Sequence, residues 1–266
     1  MIKKIGITGA AGHIGLDLTA GLADKYELTL FYHNTKPDTS LKLKMIQADL
    51  SDEKQVTGIF QGLDAVIHLA AASSSLASWE NCLTQNIITT YNVFEEVRRA
   101  GVSKIIFAST NHTQHAYTML NNTLNEDLSY VNKHGLIKLS DPPAPDSFYG
   151  VSKLFGEDLG RYYSRFFGIK VVSLRIGWAD TQKMKDWIIH AEEPVKKHIR
   201  VMFLSTRDLI DVMDKSLQID SDYVLAYAVS DNNPAVFDLT ETRQKLGFNP
   251  NDNSKLWEDN IKKTGK

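Results

Sequence analysis

Cysteine is nearly missing from this sequence: among 266 residues there is one, Cys82. No disulfide can form within the chain, and a zinc site built on paired cysteines is excluded. A reducing compartment suits such usage. No stretch approaches the ~18 consecutive apolar residues of a membrane-spanning helix. An excess of positive charge is also lacking. Thirty Lys and Arg face 32 Asp and Glu, a net charge of −2, so no global field exists to hold nucleic-acid phosphates or an anionic membrane surface. Internal repeats and low-complexity tracts are absent. The chain opens directly on strand-like residues, and no secretory leader is expected. What is there, 42% hydrophobic and 23% charged, is the ordinary composition of a globular protein. The expectation is a cytoplasmic protein that engages neither nucleic acid nor membrane. The length suits one large domain, or one with a small annex, and needs no covalent staple.

Apolar strands alternate with helices along most of the chain. Ile2–Thr8, Glu27–Tyr32, Lys44–Ala48, Ala65–Ala70, Lys104–Ala108 and Lys170–Arg175 read as strands. Leu16–Ala23, Ser51–Phe60 (with Ser51 as N-cap), Asn81–Ala100 and Ser147–Phe167 read as helices, the last two stopped by Gly101 and Gly168. Such alternation predicts an α/β fold: a Rossmann-like, doubly wound parallel sheet covered on both faces. Two regions break the rhythm. His112–Asp146 is a long, Asn-rich connection carrying Pro142, Pro143 and Pro145, and a loop of that length in a compact domain is usually functional or disordered. Beyond Arg175 the alternation becomes irregular. We therefore expect a dinucleotide-binding domain over 1–176 and a small substrate-binding annex, not an autonomous domain, over 177–266.

Gly9-Ala10-Ala11-Gly12-His13-Ile14-Gly15 follows the first strand and opens the first helix. Glycines at that turn let backbone approach a pyrophosphate, and the free N–H groups of the helix start meet its charge. The bland alternative, a tight strand-to-helix turn, is weakened by the position of the loop at the first βα junction. The carboxylate that normally binds the ribose about 20 residues further on is missing. His33, Asn34 and Lys36 stand there instead, able to accept a 2′-phosphate or simply to face solvent. The cofactor expectation is NAD(P), with NADP slightly favoured over NAD.

Tyr149 and Lys153 share one face at the start of the second long helix. A phenol beside a fixed ammonium is an acid–base device, although the same spacing recurs at Tyr32–Lys36 without evident purpose. Lowering a Tyr pKa from ~10 to ~7 requires about 4 kcal/mol of differential stabilisation. Ala108-Ser109-Thr110-Asn111-His112 ends the fifth strand, and the carboxyl ends of strands are where open α/β sheets place their chemistry. Hydroxyl, phenol and ammonium together make a proton-handling set that needs no metal. None of the eight histidines shows a metal-ligand spacing on a helix, so no metal is expected. His68, inside an apolar strand, reads as a hydrogen-bonded core residue, Cys82 as a buried small hydrophobe, and Trp79, Tyr91 and Phe94 as packing residues.

These motifs, with Asp49-Leu50, Leu69-Ala70-Ala71, Asn86, Arg175-Ile176-Gly177 and Leu246-Gly247-Phe248-Asn249-Pro250, fall in the order of the extended short-chain dehydrogenase/reductase superfamily, the NAD-dependent epimerase/dehydratase group. The chain resembles it over nearly its whole length. Phe107–Thr113 and Tyr149–Glu157 are similar to the uronate dehydrogenase group, which oxidises the anomeric C1 of hexuronic acids to a lactone; relatives act on other aldoses or sugar phosphates. The resemblance implies that Thr110 takes the catalytic serine's place, that Tyr149 is the base and Lys153 its partner. It implies a dinucleotide held by Gly9, Gly12, His13, Ile14, Gly15, Asp49, Leu50, Leu69, Ala70, Ala71, Asn86, Tyr149, Lys153 and Ile176. Ser73, Thr110, Asn111, His112 and Tyr149 would meet the sugar, with Arg200 as carboxylate binder. A homodimer through the two long helices is implied as well. The sequence departs from the group at His33, where an aspartate selects NAD, at Trp178, where a small residue is usual, and in the longer 112–149 connection. Two other readings stay open. One is a nucleotide-sugar epimerase or dehydratase with tightly bound NAD, although about 90 residues after Arg175 are few for such a substrate. The other is a non-catalytic NADP-sensing regulator, which the Tyr–Lys pair disfavours.

Overall fold

The computed structural model describes residues 2–119, 126–180, 192–257 and 259. Seven parallel strands form the central sheet: β1 (Lys4–Thr8), β2 (Glu27–Tyr32), β3 (Lys44–Gln47), β4 (Ala65–His68), β5 (Lys104–Thr110), β6 (Lys170–Ile176) and, after a short pair β7 (Trp178–Asp180) and β8 (Phe203–Ser205), β9 (Tyr223–Ala228). The order is β3-β2-β1-β4-β5-β6-β9, the doubly wound arrangement that the alternation predicts, with chain reversal between β1 and β4.

Helices cover both faces. On one side α1 (His13–Leu22) lies beside a helix from late in the chain, and Leu18, Leu22, Leu209, Val212 and Met213 are buried against Ile5, Ile7 and Ile106. On the other side Phe94, Val97 and Tyr163 pack on Val66, Ile105 and Phe107. Each fully buried large side chain contributes about 1.5–3 kcal/mol. Every residue of β5 is buried, as a central strand between two helical layers requires.

Several elements differ from the sequence reading. The helix expected over Ser51–Phe60 is one turn, α2 (Glu53–Val56), and its N-cap is Asp52, whose carboxylate accepts from Lys54 N; Gly58 at φ +84° ends it early. The helix expected over Asn81–Ala100 has three parts. These are α3 (Trp79–Cys82), capped by Ser78, a π-helical turn over Leu83–Ile88, and α4 (Thr89–Arg99). The connection before α6 (Phe148–Phe167) is not bare loop. It holds 3-10 turns at Asn111–Thr113 and His115–Tyr117 and a short helix α5 (Ser129–His134), while 120–125 lie outside the described residues. Leu128, Tyr130 and Val131 pack against a cluster with Ile137, Tyr227 and Phe237.

Beyond residue 176 lie α7 (Glu193–Met202), α8 (Thr206–Gln218) and α9 (Thr240–Leu246). The sheet itself crosses the boundary read at residue 176. β9 pairs with β6 from Val171↔Tyr223 to Ile176↔Ala228, and α8 is the neighbour of α1 noted above. Lys104 fixes this late helix from inside, its ammonium donating to the carbonyls of Ser216 and Leu217 at 3.1 and 2.8 Å, where the negative end of a helix favours a cation. Among the described residues no helix is long and apolar enough to cross a membrane.

Candidate active site

The glycine loop is tight for reasons that can be read atom by atom. Gly9 sits at φ +66°, and a Cβ there would lie 2.8 Å from Ala70 N. A Cβ on Gly15 would stand 2.7 Å from Ala10 Cα, Ala10 O and Gly9 O. These two positions accept only hydrogen, so the loop folds onto itself and onto the turn after β4. Thr8 Oγ1 ties that turn down, accepting from Leu69 N and Ala70 N at 3.2 and 3.3 Å. Gly12 is the N-cap of α1 and offers no side chain to the first N–H groups. The result is a bare, positively polarised helix start at the carboxyl edge of the sheet, which fits the pyrophosphate of a dinucleotide. His13 and Ile14 open α1, and Ala71 continues the turn that Leu69 and Ala70 begin.

His33, Asn34 and Lys36 are exposed beyond β2. Asp49, two residues beyond β3, faces this segment, its Oδ2 3.7 Å from His33 Nε2. Partial burial pushes the Asp49 carboxyl up, but hydrogen bonds from Ser51 N and Oγ, at 2.9 and 2.7 Å, hold it below its usual value. Leu50 beside it is buried. The π-helical turn aims Asn86 inward. Its Oδ1 accepts from Ala72 N at 2.7 Å and its Nδ2 donates to Ser152 Oγ at 2.8 Å, so one amide joins the turn after β4 to the helix bearing Tyr149. Ser73, next along that turn, is exposed.

Thr110, Tyr149 and Lys153 come together as predicted from their positions. Thr110 ends β5, paired with Ile176 at the end of β6. Ser147 caps α6 through Gly150 N, which sets Tyr149 and Lys153 in the first two turns, both buried. The Thr110 side chain lies near enough to the Tyr149 phenol to lower its pKa. Lys153 Nζ donates to Ala108 O at 2.7 Å and stands 5.8 Å from the Tyr149 ring centre. The electrostatics differ from the expectation of a lowered phenol. Burial dominates both groups: it pushes Tyr149 up to about 12, with only Thr110 pulling the other way, and pushes Lys153 down to about 7. Desolvation disfavours whichever form is charged. Asn111 is buried with its Oδ1 facing Thr110 Oγ1 at 3.3 Å, while its Nδ2 has no partner. An orphan donor of that kind at a site suits a ligand oxygen.

His112 stands edge-on to Tyr149, ring centres 5.7 Å apart, and belongs to a buried cluster that residue spacing did not reveal. Asp146 accepts from His112 and His115, Glu126 from His115 and His198. Their ligand-type atoms lie within 4.8 Å of one another in two groups of three. The 2.6 and 2.9 Å approaches to Asp146 are hydrogen-bond lengths, shorter than the about 3.3 Å between two donors on one tetrahedral ion. Arg200, on α7, directs its guanidinium to Glu193 Oε1 at 2.6 Å; from the same helix His198 and Lys197 reach the cluster instead, Lys197 donating to Glu126 O.

Of the other residues singled out, His68 is buried with Thr8 and Thr90 hydroxyls at 2.8 and 3.3 Å, and burial pushes it down to about 3. Cys82 is buried. Phe94 is core, but Trp79 and Tyr91 are 43% and 49% exposed and pack only in part.

Comparison with known proteins agrees with this geometry. Residues 5–216 match the NAD dependent epimerase/dehydratase family. The chain is 37% identical over 255 residues to the L-arabinose 1-dehydrogenase (NAD(P)(+)) of Haloferax volcanii, covering 95% of this chain and 98% of that protein. It is 30% identical to the uronate dehydrogenase of Pseudomonas putida, covering 96% and 86%. The crystal structure of a glucuronic acid dehydrogenase from Chromohalobacter salexigens superposes with a TM-score of 0.79 at 27% identity, covering 99% of this chain and 90% of that one.

Proposed function

Because this chain belongs to the NAD dependent epimerase/dehydratase family, we propose that it is a nicotinamide-dependent sugar dehydrogenase that oxidises the anomeric C1 hydroxyl of an aldose or uronic acid to a lactone. The observation that carries this reading is the convergence of Thr110, Tyr149 and Lys153 at the carboxyl end of β5, beside a glycine cradle that only backbone can line. The dinucleotide, when bound, supplies the hydride acceptor. As the phenolate, the form a charged Lys153 beside it favours, Tyr149 takes the C1 hydroxyl proton; Thr110 donates a hydrogen bond to the same oxygen, and Asn111 Nδ2 to a neighbouring one. Lys153, anchored on Ala108 O, holds a positive charge at the phenol when protonated. The cradle of Gly9, Gly12 and Gly15, with His13, Ile14, Asp49, Leu50, Leu69, Ala70, Ala71, Asn86 and Ile176, would hold the dinucleotide. The complete proton-handling set disfavours a purely sensing role.

Within this reading NADP is preferred to NAD, on the strength of exposed His33, Asn34 and Lys36 where an acid would otherwise bind ribose. The protein acts in the cytoplasm as a homodimer. Tyr91, Phe148, Tyr162 and Phe166, 49–64% exposed on α4 and α6, give the two helices an apolar outer face that a second copy would cover. A panel of aldoses, uronic acids and sugar phosphates against both cofactors, read by nicotinamide absorbance, tests the proposal. Lactone formation with at least one free sugar is expected; turnover only of a nucleotide-linked sugar, or of none, would overturn it.

A further inference from the structure

The connection between β5 and α6 closes on itself. Asp146, the residue before the cap of α6, lies against His112 and His115 at its other end. The Asp146 carboxyl is pushed up by burial but held well below the usual range by hydrogen bonds from His112 and His115. An ionised carboxylate only accepts. Asp146 Oδ2 therefore receives the Nδ1 protons of His112 at 2.6 Å and His115 at 2.9 Å, while Oδ1 receives Ser147 Oγ at 2.7 Å. His115 spends its second ring N–H on Glu126, which also takes the Nδ1 proton of His198 at 2.6 Å. With both nitrogens donating, His115 is an imidazolium. Against burial, Asp146 and Glu126 raise it to about 9, and they stay ionised in turn. Burial keeps His198 neutral despite Glu126.

His112 is consequently fixed. Its Nδ1 carries the proton that Asp146 holds, its ring is set edge-on to Tyr149, and Nε2 is the nitrogen left to meet a ligand. In the neutral ring Nε2 is an acceptor. A sugar hydroxyl can donate to it. A sugar carboxylate has no proton to give and cannot.

Resting on the dehydrogenase reading above, we propose that Asp146 is a positioning and specificity-determining residue: it holds His112 as the Nδ1–H tautomer, whose Nε2 accepts a hydrogen bond from a sugar hydroxyl, and it thereby favours a neutral aldose over a hexuronate. Among the described residues, the groups around the cluster are Tyr149, His198, His115 and Lys197, whose Nζ donates to Glu126 O. Tyr149 lies on α6, His198 on α7 with its ring 6.4 Å from His112, and His115 on the same connection.

Two measurements test this. Long-range 1H–15N correlation on 15N-histidine protein reads the His112 tautomer without any turnover; the Nδ1–H form is expected, and the Nε2–H form in the wild type overturns the proposal whatever the enzyme does. The second is a double-mutant cycle of Asp146→Asn and His112→Gln. It is read as kcat/KM for the best neutral aldose of the panel and for the uronate sharing its ring stereochemistry. The wild type should prefer the neutral sugar by tenfold or more. Asp146→Asn should lower kcat/KM for that sugar roughly 10- to 100-fold, the scale of a buried partner left unpaired, narrow the preference, and have no further effect once His112 is Gln. Equal or better use of the uronate by the wild type would overturn the specificity role, and effects of the two substitutions that multiply would show that Asp146 does not act through His112. If no free sugar is oxidised at C1, the dehydrogenase reading fails, and the tautomer result still decides the role of Asp146.

Discussion

Replacing Lys153 with Met should make the protein more stable while removing its activity. The ammonium is buried, with a single hydrogen bond, to Ala108 O at 2.7 Å, and lies 4.9 Å from the centre of the Phe107 ring. A lysine ordinarily gives up its proton near 10.5; here burial pushes that down to about 7. At about 1.36 kcal/mol per pKa unit, housing this amine costs the fold about 4 kcal/mol at pH 7, relative to an unfolded chain in which it is charged. Met fills similar space with no charge and forfeits a hydrogen bond of about 1 kcal/mol. Lys153→Met should then be about 3 kcal/mol more stable at pH 7. The sign of the pH dependence follows from the direction of the shift. The folded-state value lies below the unfolded one, so between pH 7 and 10.5 the unfolded chain binds more protons and the wild type gains stability as pH rises. The handicap is complete below pH 7, falls to about 2 kcal/mol at pH 9 and vanishes above 10.5. Guanidinium denaturation of cofactor-free protein at pH 7, 8 and 9 measures the gap. A variant less stable than wild type at pH 7, or a gap that does not shrink toward pH 9, would refute the reasoning.

Three further outcomes are expected. Tyr149→Phe keeps the ring and deletes the proton acceptor, so kcat should fall by ~10²-fold or more with cofactor affinity nearly intact; near-wild-type kcat would make the Tyr–Lys pair structural. Gly15→Ala drives a methyl to 2.7 Å from three backbone atoms, whereas Gly12→Ala meets only Gly9 O at 3.2 Å. Calorimetry should find the cofactor dissociation constant raised about tenfold or more by the first and less by the second, and equal effects would contradict the cradle geometry. Phe166→Glu places a charge on the exposed face of α6 and should give monomers in sedimentation; a dimer of unchanged affinity would move the interface elsewhere.

The features legible in the sequence are those whose causes are local. Gly9 and Gly15 announce a backbone approach because no other residue fits, and strand periodicity places Thr110 at the end of β5. The features that escaped depend on distant partners. Asp49 meets His33 across 16 positions between two strand ends. The Glu126–His198 bond spans 72 residues, so neither spacing nor composition could join the cluster behind His112. The π-helical turn has no signature in residue type; it shows only once Asn86 is seen bridging Ala72 and Ser152. Tyr223–Ala228, in contrast, carried a β-branched and aromatic pattern that fits a strand, and the irregular rhythm after Arg175 obscured it. The pKa pattern of Tyr149 and Lys153 was missed for a different reason: it depends on how completely both are buried, which sequence does not reveal.

The placement of β9 has a consequence for anyone who would take the protein apart. β6 is buried along nearly its whole length and is sandwiched by β5 and β9. A fragment ending at Ile176 would keep every glycine of the cofactor loop and the whole Thr110–Tyr149–Lys153 set, yet present β6 to solvent as an apolar edge with unpaired N–H and C=O groups. Such an edge recruits other strands, so the fragment should aggregate rather than survive as a minimal nucleotide-binding module. Grafting sugar specificity from a relative by exchanging the C-terminal third faces the same obstacle, because the exchanged piece carries a strand of the sheet on which the catalytic residues stand.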